Sequence, residues 1–438
     1  FAYYLFKGLI DTMRSVKNVF FYINCISSQK KLNWLLMVFY KSIAALFFCS
    51  HLTTSLASET TKPWKRHTID KSSTGADGTR LLDVNGDGLD DIATGWEEGG
   101  IIRAYIHPGK AKVKELWPKV TVGKVKSPED AVFADLDNDG AVDVISSCEG
   151  NNRKMFIHWA PKTKNQYLSE SSWSTSVIPK TKNKQSWMYA LPMQIDQKHG
   201  TDLVISSKGK GATVSWLQAP QNPRNVSEWR LHKLQDAGWI MSLIDIDMDN
   251  DGNKDILVSD RRGPNRGVYW LERPEDNKVI DSEEWKRHQI GGSDKEILFI
   301  STGDLDKDRK TDIIAIDKKS IIWFKKELDS WEEIIIPLPE GVGTGKSTAV
   351  CDVNGDKKND IVFSCENSKG NLSGMRWLSW EQSPKSGPWK SHEIGGPEGH
   401  KYDRIEMYDV DGDGDLDAIC CEEVDQLGVF WYENPHLN

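Results

Sequence analysis

The chain has 438 residues, 38% of them hydrophobic and 28% charged, and a net charge of −9. That balance excludes a multi-span membrane protein and a disordered tail. The acidic excess argues against a general nucleic-acid binder, because phosphate contacts need a basic surface.

Residues 1–57 differ from the rest, with six basic side chains and one acid among Phe, Tyr, Ile and Leu. The expected start is Met37. Lys41, the apolar Ile43–Phe48 stretch and Ser55-Leu56-Ala57 then read as a secretory signal cleaved after Ala57. The apolar stretch is far short of the ~20 residues that cross a bilayer, so no stable membrane span is expected after cleavage. Residues 58–438 are expected to form a single domain, secreted or periplasmic, with a charge of about −14. Its cysteines, Cys148, Cys351, Cys365, Cys420 and Cys421, are odd in number and irregularly spaced. That pattern predicts buried free thiols and no disulfide framework.

From residue 83 onward one motif recurs: an apolar stretch, Asp-x-Asp/Asn-x-Asp-x-x-x-Asp, then a second apolar stretch. It first appears as Asp83-Val-Asn-Gly-Asp-Gly-Leu-Asp-Asp91 and returns from Asp135, Asp247, Asp304, Asp352 and Asp409. A degraded copy, Gln194-Ile-Asp-Gln-Lys-His-Gly-Thr-Asp202, lies between the second and third. The period is roughly 54 residues, so seven repeats fill residues 58–438. Each repeat holds a β-branched strand on either side of the Asp loop, an aromatic third strand such as Ile157-His-Trp-Ala-Pro161, and a fourth strand opened by Trp. Four strands per repeat make one propeller blade. The fold expected is therefore all-β, a seven-bladed β-propeller.

The Trp-led strand follows the first six repeats, at Trp117, Trp173, Trp229, Trp285, Trp331 and Trp389, and is missing after the seventh. Its counterpart stands before the first repeat, at Trp64–Ile69. That strand is expected to complete the last blade, because an open ring would leave an unpaired sheet edge.

Carboxylates at positions 1, 3, 5 and 9 of a tight loop converge on one point, and all-oxygen anionic coordination suits Ca²⁺. The expected ligands are Asp83, Asn85, Asp87 and Asp91; Asp135, Asp137, Asp139 and Asp143; Asp247, Asp249, Asp251 and Asp255. The later copies supply Asp304, Asp306, Asp308 and Asp312; Asp352, Asn354, Asp356 and Asp360; Asp409, Asp411, Asp413 and Asp417. About six structural calcium ions are expected. The Gln194–Asp202 copy is expected to be empty, with the Lys198 ammonium in place of the ion. Six Ca²⁺ would bring the charge to about −2, so the acidity reflects ligation and does not imply a basic partner.

These repeats resemble the FG-GAP/VCBS family of calcium-binding propellers, distantly including the integrin α head. They are also similar to sugar-active propellers of the ulvan-lyase and aldos-2-ulose-dehydratase types. The resemblance implies a ligand site on the face opposite the calcium loops, and a carbohydrate ligand.

On that face, the residue six places after each ninth position is charged: Glu97, Glu149, Lys208, Arg261, Lys318, Glu366 and Glu423. This predicts a polarised ring, basic in repeats three to five and acidic elsewhere, extended by Lys210, Arg262 and Arg266. The fourth-to-first connections add Trp187, Tyr189, Trp239, Lys295, Glu296, Lys346 and the stretch His400-Lys-Tyr402-Asp-Arg404. Trp187 and Trp239 are expected to stack on sugar rings, with Arg404 and the ring charges holding polar groups. His67, His232, His288 and His392 share one Trp-x-x-His offset and are expected to be structural.

Three functions fit. Elimination at a sugar carbon beside a carboxylate needs a cation and an acid–base pair; Arg261 and Lys208 are the candidate cations, and His400, Tyr189 and Tyr402 the acid–base groups. The second is non-catalytic glycan binding or adhesion on the same face. The third is glycoside hydrolysis by paired carboxylates of the ring. The expected partner is an anionic polysaccharide. Nucleotide is not expected, because Gly341-Val-Gly-Thr-Gly-Lys-Ser347 lacks the first glycine of a phosphate loop and no helix pattern follows it.

Overall fold

Each Asp loop reverses the chain, so the apolar stretches on its two sides become antiparallel partners. Leu82 lies opposite Asp91, Ala134 opposite Asp143, Ile246 opposite Asp255 and Cys351 opposite Asp360. The computed structural model describes residues 62–276, 278–279 and 285–436. The expected start and signal lie outside them.

The strands form seven four-stranded sheets. Blade 1 is Ala76–Leu82, Asp91–Trp96, Ile101–Tyr105 and Lys119–Lys124. Blades 2 to 6 follow over 128–177, 186–236, 240–291, 300–337 and 344–393. Blade 7 combines Glu406–Tyr408, Asp417–Glu422 and Gly428–Glu433 with the N-terminal strand Lys65–Asp70. The closing strand pairs as expected, shifted one residue from the predicted Trp64–Ile69: Lys65 faces Glu433 and His67 faces Trp431.

Second strands such as Asp91–Trp96 and Asp143–Cys148 are buried at every position because each sheet is covered on both faces by its neighbours. The apolar core is accordingly divided into one cluster per junction between blades. The cluster at the closure packs Ile69, Ile92, Trp96 and Tyr105 against Ile419, Val429 and Trp431. The Trp-x-x-His histidines are structural. Their rings stack on third-strand tryptophans, His67 on Trp431 and His232 on Trp216 at 4.6 Å, His288 on Trp270 at 4.0 Å, and His392 on Trp377 at 3.9 Å.

Cys148, Cys351, Cys365, Cys420 and Cys421 are free thiols, all but Cys351 buried. Among the described residues no helix is long and apolar enough to cross a membrane.

Candidate functional site

The Asp loops lie between the first and second strands of each blade. Position 1 shapes the loop: Asp83 accepts hydrogen bonds from the amides of Gly86, Asp87 and Gly88 at 2.6, 3.2 and 2.8 Å. Position 9 ties the loop to the third strand. Asp143 accepts from Leu136 N at 3.3 Å and Ala160 N at 2.8 Å, and Asp417 accepts from Val410 N at 3.0 Å and Asn434 N at 2.8 Å. Asp202 of the degraded copy makes the same two bonds, to Ile195 N at 3.1 Å and Ala219 N at 2.7 Å. The ninth Asp is therefore a strut, which explains its presence in a loop that has lost the first.

The remaining carboxylates do converge. Oxygens of Asp135, Asp137 and Asp143 lie within 4.8 Å of one another, as do those of Asp247, Asp249 and Asp251, and of Asp304, Asp306 and Asp308. One oxygen each of Asp137, Asp247, Asp306, Asp360, Asp409 and Asp411 is buried and accepts no hydrogen bond among the described residues. Such orphaned oxygens are costly, and a hard cation would satisfy them. Burial, together with neighbouring loop carboxylates, pushes the carboxyls of Asp91, Asp143 and Asp417 up to about 7, 8 and 8. Outside blade 5, where Lys325 Nζ stands 2.6 Å from both Asp306 and Asp308, these residues fit a calcium ion.

In blade 3 the expected Lys198 substitution does not occur, and Lys198 is exposed. Gln218 donates to Asp196 at 2.6 Å, and Gln194 donates to the carbonyls of Lys198 and Gly200 at 3.1 and 2.7 Å. Neutral amides close this loop.

The opposite face carries the second-to-third turns and the fourth-to-first connections. Register shifts in the inner strands of blades 2, 4 and 6 fall at Pro128/Asp130, Ile240/Ser242 and Gly345/Ser347. Such bulges re-aim side chains, here those of Glu129, Met241 and Lys346. The expected ring charges are held by ion pairs, some across a blade boundary and some within a blade. Lys208 contacts Glu149 and lies 3.6 Å from Glu129; Lys401 contacts Glu423; Lys346 lies 3.7 Å from Glu366. Arg261 and Lys318 share Glu296, at 3.5 and 3.8 Å.

Glu97 is surrounded by acid: burial, then Glu423, Glu149 and Glu98, push its carboxyl up to about 7. Asp77 and Asp403 are both buried and hydrogen-bonded to each other. Burial and Asp403 hold Asp77 well above the usual carboxylate range. Lys346, Asp77 and Lys401 outweigh burial at Asp403 and hold it low. Deeper, Arg80 grips Asp130 with two bonds of 2.9 and 3.2 Å. Arg404 pairs with Glu406 at 2.9 Å beside a cavity of about 280 Å³.

On the basic arc, Trp239 is half-buried with three cations around its ring. Lys208 Nζ lies 4.8 Å, Arg261 Cζ 4.8 Å and Arg262 Cζ 4.7 Å from the centroid. The buried Asp260 fixes this turn by accepting from Gly238 N at 2.9 Å and Trp239 N at 2.8 Å. Gly238 is required there, since a Cβ would sit 1.7 Å from the Arg262 carbonyl oxygen. Beside Trp239 opens a pocket of about 600 Å³, lined by Lys208, Lys210, Gly211, Trp239, Arg262 and Pro264 among others.

Several expected site residues lie elsewhere. Trp187 is 1% exposed, and its indole N–H donates to Thr181 O at 3.0 Å, so it is core and not a sugar platform. Tyr402 is fully buried, and its hydroxyl meets Glu398 O at 2.5 Å and Tyr432 OH at 2.9 Å, so it is a packing residue between blades 6 and 7. Tyr189 is buried against Phe299 and under Arg80. Burial and then Glu129 hold its hydroxyl far above the usual range, the reverse of what a base needs. His400 belongs to the connection from blade 6 to blade 7, its amide donating to Glu422 at 3.1 Å. Arg261 and Lys208 stand in blades 4 and 3. These two cations meet at the Trp239 ring, whereas Tyr189 and Tyr402 are buried. The missed residues, Asp77 and Glu129, lie outside the repeated offset; their one signal is an acid near the start of an inner strand.

The FG-GAP-like repeat family matches residues 83–146 and 352–420, which hold the loops of blades 1, 2, 6 and 7. A lectin from Agrocybe aegerita, described for specific recognition of non-reducing terminal N-acetylglucosamine, is 14% identical over 73% of this chain and 80% of its own, with a TM-score of 0.44. A chain from the crystal structure of BBS1N in complex with ARL6DN, soaked with mercury, is 10% identical over 86% of this chain and 100% of its own, with a TM-score of 0.48. No curated protein matches.

Proposed function

We propose that this propeller, built on FG-GAP-like repeats, binds an anionic glycan in the pocket beside Trp239 without cleaving it. The observation that carries this reading is the half-buried Trp239 ring with Lys208, Arg261 and Arg262 around it. An aromatic face takes the apolar side of a sugar ring, while Lys and Arg take a carboxylate or sulfate. The turn is held rigid by Asp260, which lowers the ordering cost of binding. Elimination is less well supported, because Tyr402 and Tyr189 are buried and His400 sits in another part of the ring.

Calcium belongs to the same reading. Asp and Asn side chains at positions 1, 3 and 5 of the loops would hold the ion, with the ninth Asp beside them. The bound ion would neutralise the loop carboxylates and brace the strands they join. The secretory segment expected at residues 37–57 agrees with a glycan met outside the cytoplasm.

The test is affinity electrophoresis and calorimetry of the calcium-loaded chain on ulvan, alginate, pectins and glycosaminoglycans. The same mixtures are followed by ultraviolet absorbance for unsaturated products. One polysaccharide is expected to retain the chain with no rise in absorbance. Trp239→Ala is expected to weaken retention at least about tenfold, a loss of about 1.4 kcal/mol. Undiminished binding by Trp239→Ala sinks the site, and a rise in absorbance restores the elimination reading.

A further inference from the structure

The six Asp loops are not equivalent. In blade 5, Lys325 Nζ lies 2.6 Å from Asp306 Oδ2 and 2.6 Å from Asp308 Oδ2, at loop positions 3 and 5. Lys325 belongs to the third strand of its own blade, Ser320–Lys326, and its side chain is 11% exposed. The register identifies its counterparts. Phe324 pairs with Ile313, the residue after the ninth Asp, so Lys325 stands one place beyond. In blade 3 the same place is Gln218, whose amide closes the degraded loop on Asp196. In blades 1, 2, 4, 6 and 7 it is Ile106, Trp159, Glu272, Ser379 and Glu433, none of them basic.

A second feature groups blade 5 with blade 3. Loop positions 4 and 6 adopt positive φ. In blade 3 they are Gln197 (φ 55°) and His199 (φ 57°), and in blade 5 Lys307 (φ 62°) and Arg309 (φ 70°). The other five loops keep glycine at one or both of these places, for example Gly88 and Gly140 at φ 85°.

We propose that blade 5 is a second metal-free blade, closed by the Lys325 ammonium between Asp306 and Asp308, so that the chain takes up five calcium ions at its Asp loops and not six. The count rests on the calcium reading of the other loops; the Lys325 contact does not. Cations also approach the carboxylates of three other loops; one of these cations is Lys358, itself a loop residue and 35% exposed, 3.7 Å from Asp356. Arg224 lies 2.5 Å from Asp137 and 3.0 Å from Asp139, and Lys114 lies 3.1 Å from Asp411. These are 37% and 42% exposed and come from connecting segments, so they can turn into solvent when an ion enters. Lys325 is held by its strand, and moving it would cost the packing of its stem.

The experiment uses the full chain and Ca²⁺ alone, counting bound ions by equilibrium dialysis and atomic emission, and melting in EDTA. Wild type is expected to hold five ions and Lys325→Met six, since that variant leaves Asp304, Asp306, Asp308 and Asp312 free to ligate. Lys310→Met, which removes an outer lysine 3.4 Å from Asp308, is expected to stay at five. In EDTA, Lys325→Met is expected to melt several degrees below wild type, and calcium to recover the loss. Six ions in wild type, or no added ion in Lys325→Met, overturns the proposal. A wild-type chain that takes up no calcium refutes the reading of the other loops. The Lys325 assignment is then decided in EDTA, where an unchanged midpoint overturns it and a drop sustains it.

Discussion

The ring is latched where its two ends meet, and Asp70 is the latch. Asp70 ends the closing strand of blade 7 and is 1% exposed. Its carboxylate contacts Arg103 and accepts from Tyr105 OH at 3.1 Å and Lys119 Nζ at 2.5 Å, all three on blade 1. Asp70→Asn removes the charge and keeps the shape. Breaking a buried pair from one side costs about 3–5 kcal/mol. Arg103 and Lys119 are 13% and 33% exposed, so water takes part of their charge and the low end, about 3 kcal/mol, applies. A propeller of about 370 residues unfolds with about 0.8 kcal/mol per kelvin of entropy, so the midpoint should fall by about 4 °C. Differential scanning calorimetry of the full chain measures this. Lys124→Met is the control, breaking a pair that is 72% and 56% exposed, with an expected change under about 1 °C. An Asp70→Asn midpoint no lower than the control's refutes the latch.

The pH dependence follows from the same contacts. Burial pushes the Asp70 carboxyl up, but Lys119, Ser72 and Arg103 outweigh it and hold it below the usual range. A lowered folded value means that the stabilisation is complete above the unfolded value, about 4, and is lost as the pH falls through the folded one. The gap between wild type and Asp70→Asn should therefore be full at pH 6 and close below pH 4.

Two further outcomes are expected. Chelation should lower the midpoint by more than about 10 °C, since each site at a hundredfold excess over its Kd contributes about 2.7 kcal/mol; an unchanged midpoint in EDTA refutes the calcium reading. Glu97→Gln in EDTA should melt above wild type at pH 8 and equal it near pH 4. The Glu97 carboxyl is raised to about 7 by burial and its acidic neighbours, so wild type loses stability as the pH climbs from about 4.5 through 7. A difference independent of pH would sink that assignment.

The fold was legible in the sequence because its signals are local and repeated. An Asp loop with apolar strands on both sides specifies a hairpin, and seven copies at one period specify a ring of blades. The absent seventh Trp-led strand and its counterpart at Trp64 specified the closure. The four Trp-x-x-His offsets marked cross-strand stacks for the same reason. Trp239 was also legible, because its turn is short and the charges flanking it fall at the repeat offset. Trp187 and Tyr402 were not: sequence places both in or beside connections on the ligand face, but only the tertiary fold shows each ring turned into a seam between blades. The ring charges were legible as charges, but their partners were not. Lys208 meets Glu149 and Glu129 across a blade boundary about 60 to 80 residues away in sequence, and no local pattern carries that pairing. Lys325 shows the same division within one blade. Its loop satisfies the Asp motif at every acidic position, and only the pairing register, which sets which third-strand side chain reaches the loop, puts an ammonium where the motif alone predicts an ion.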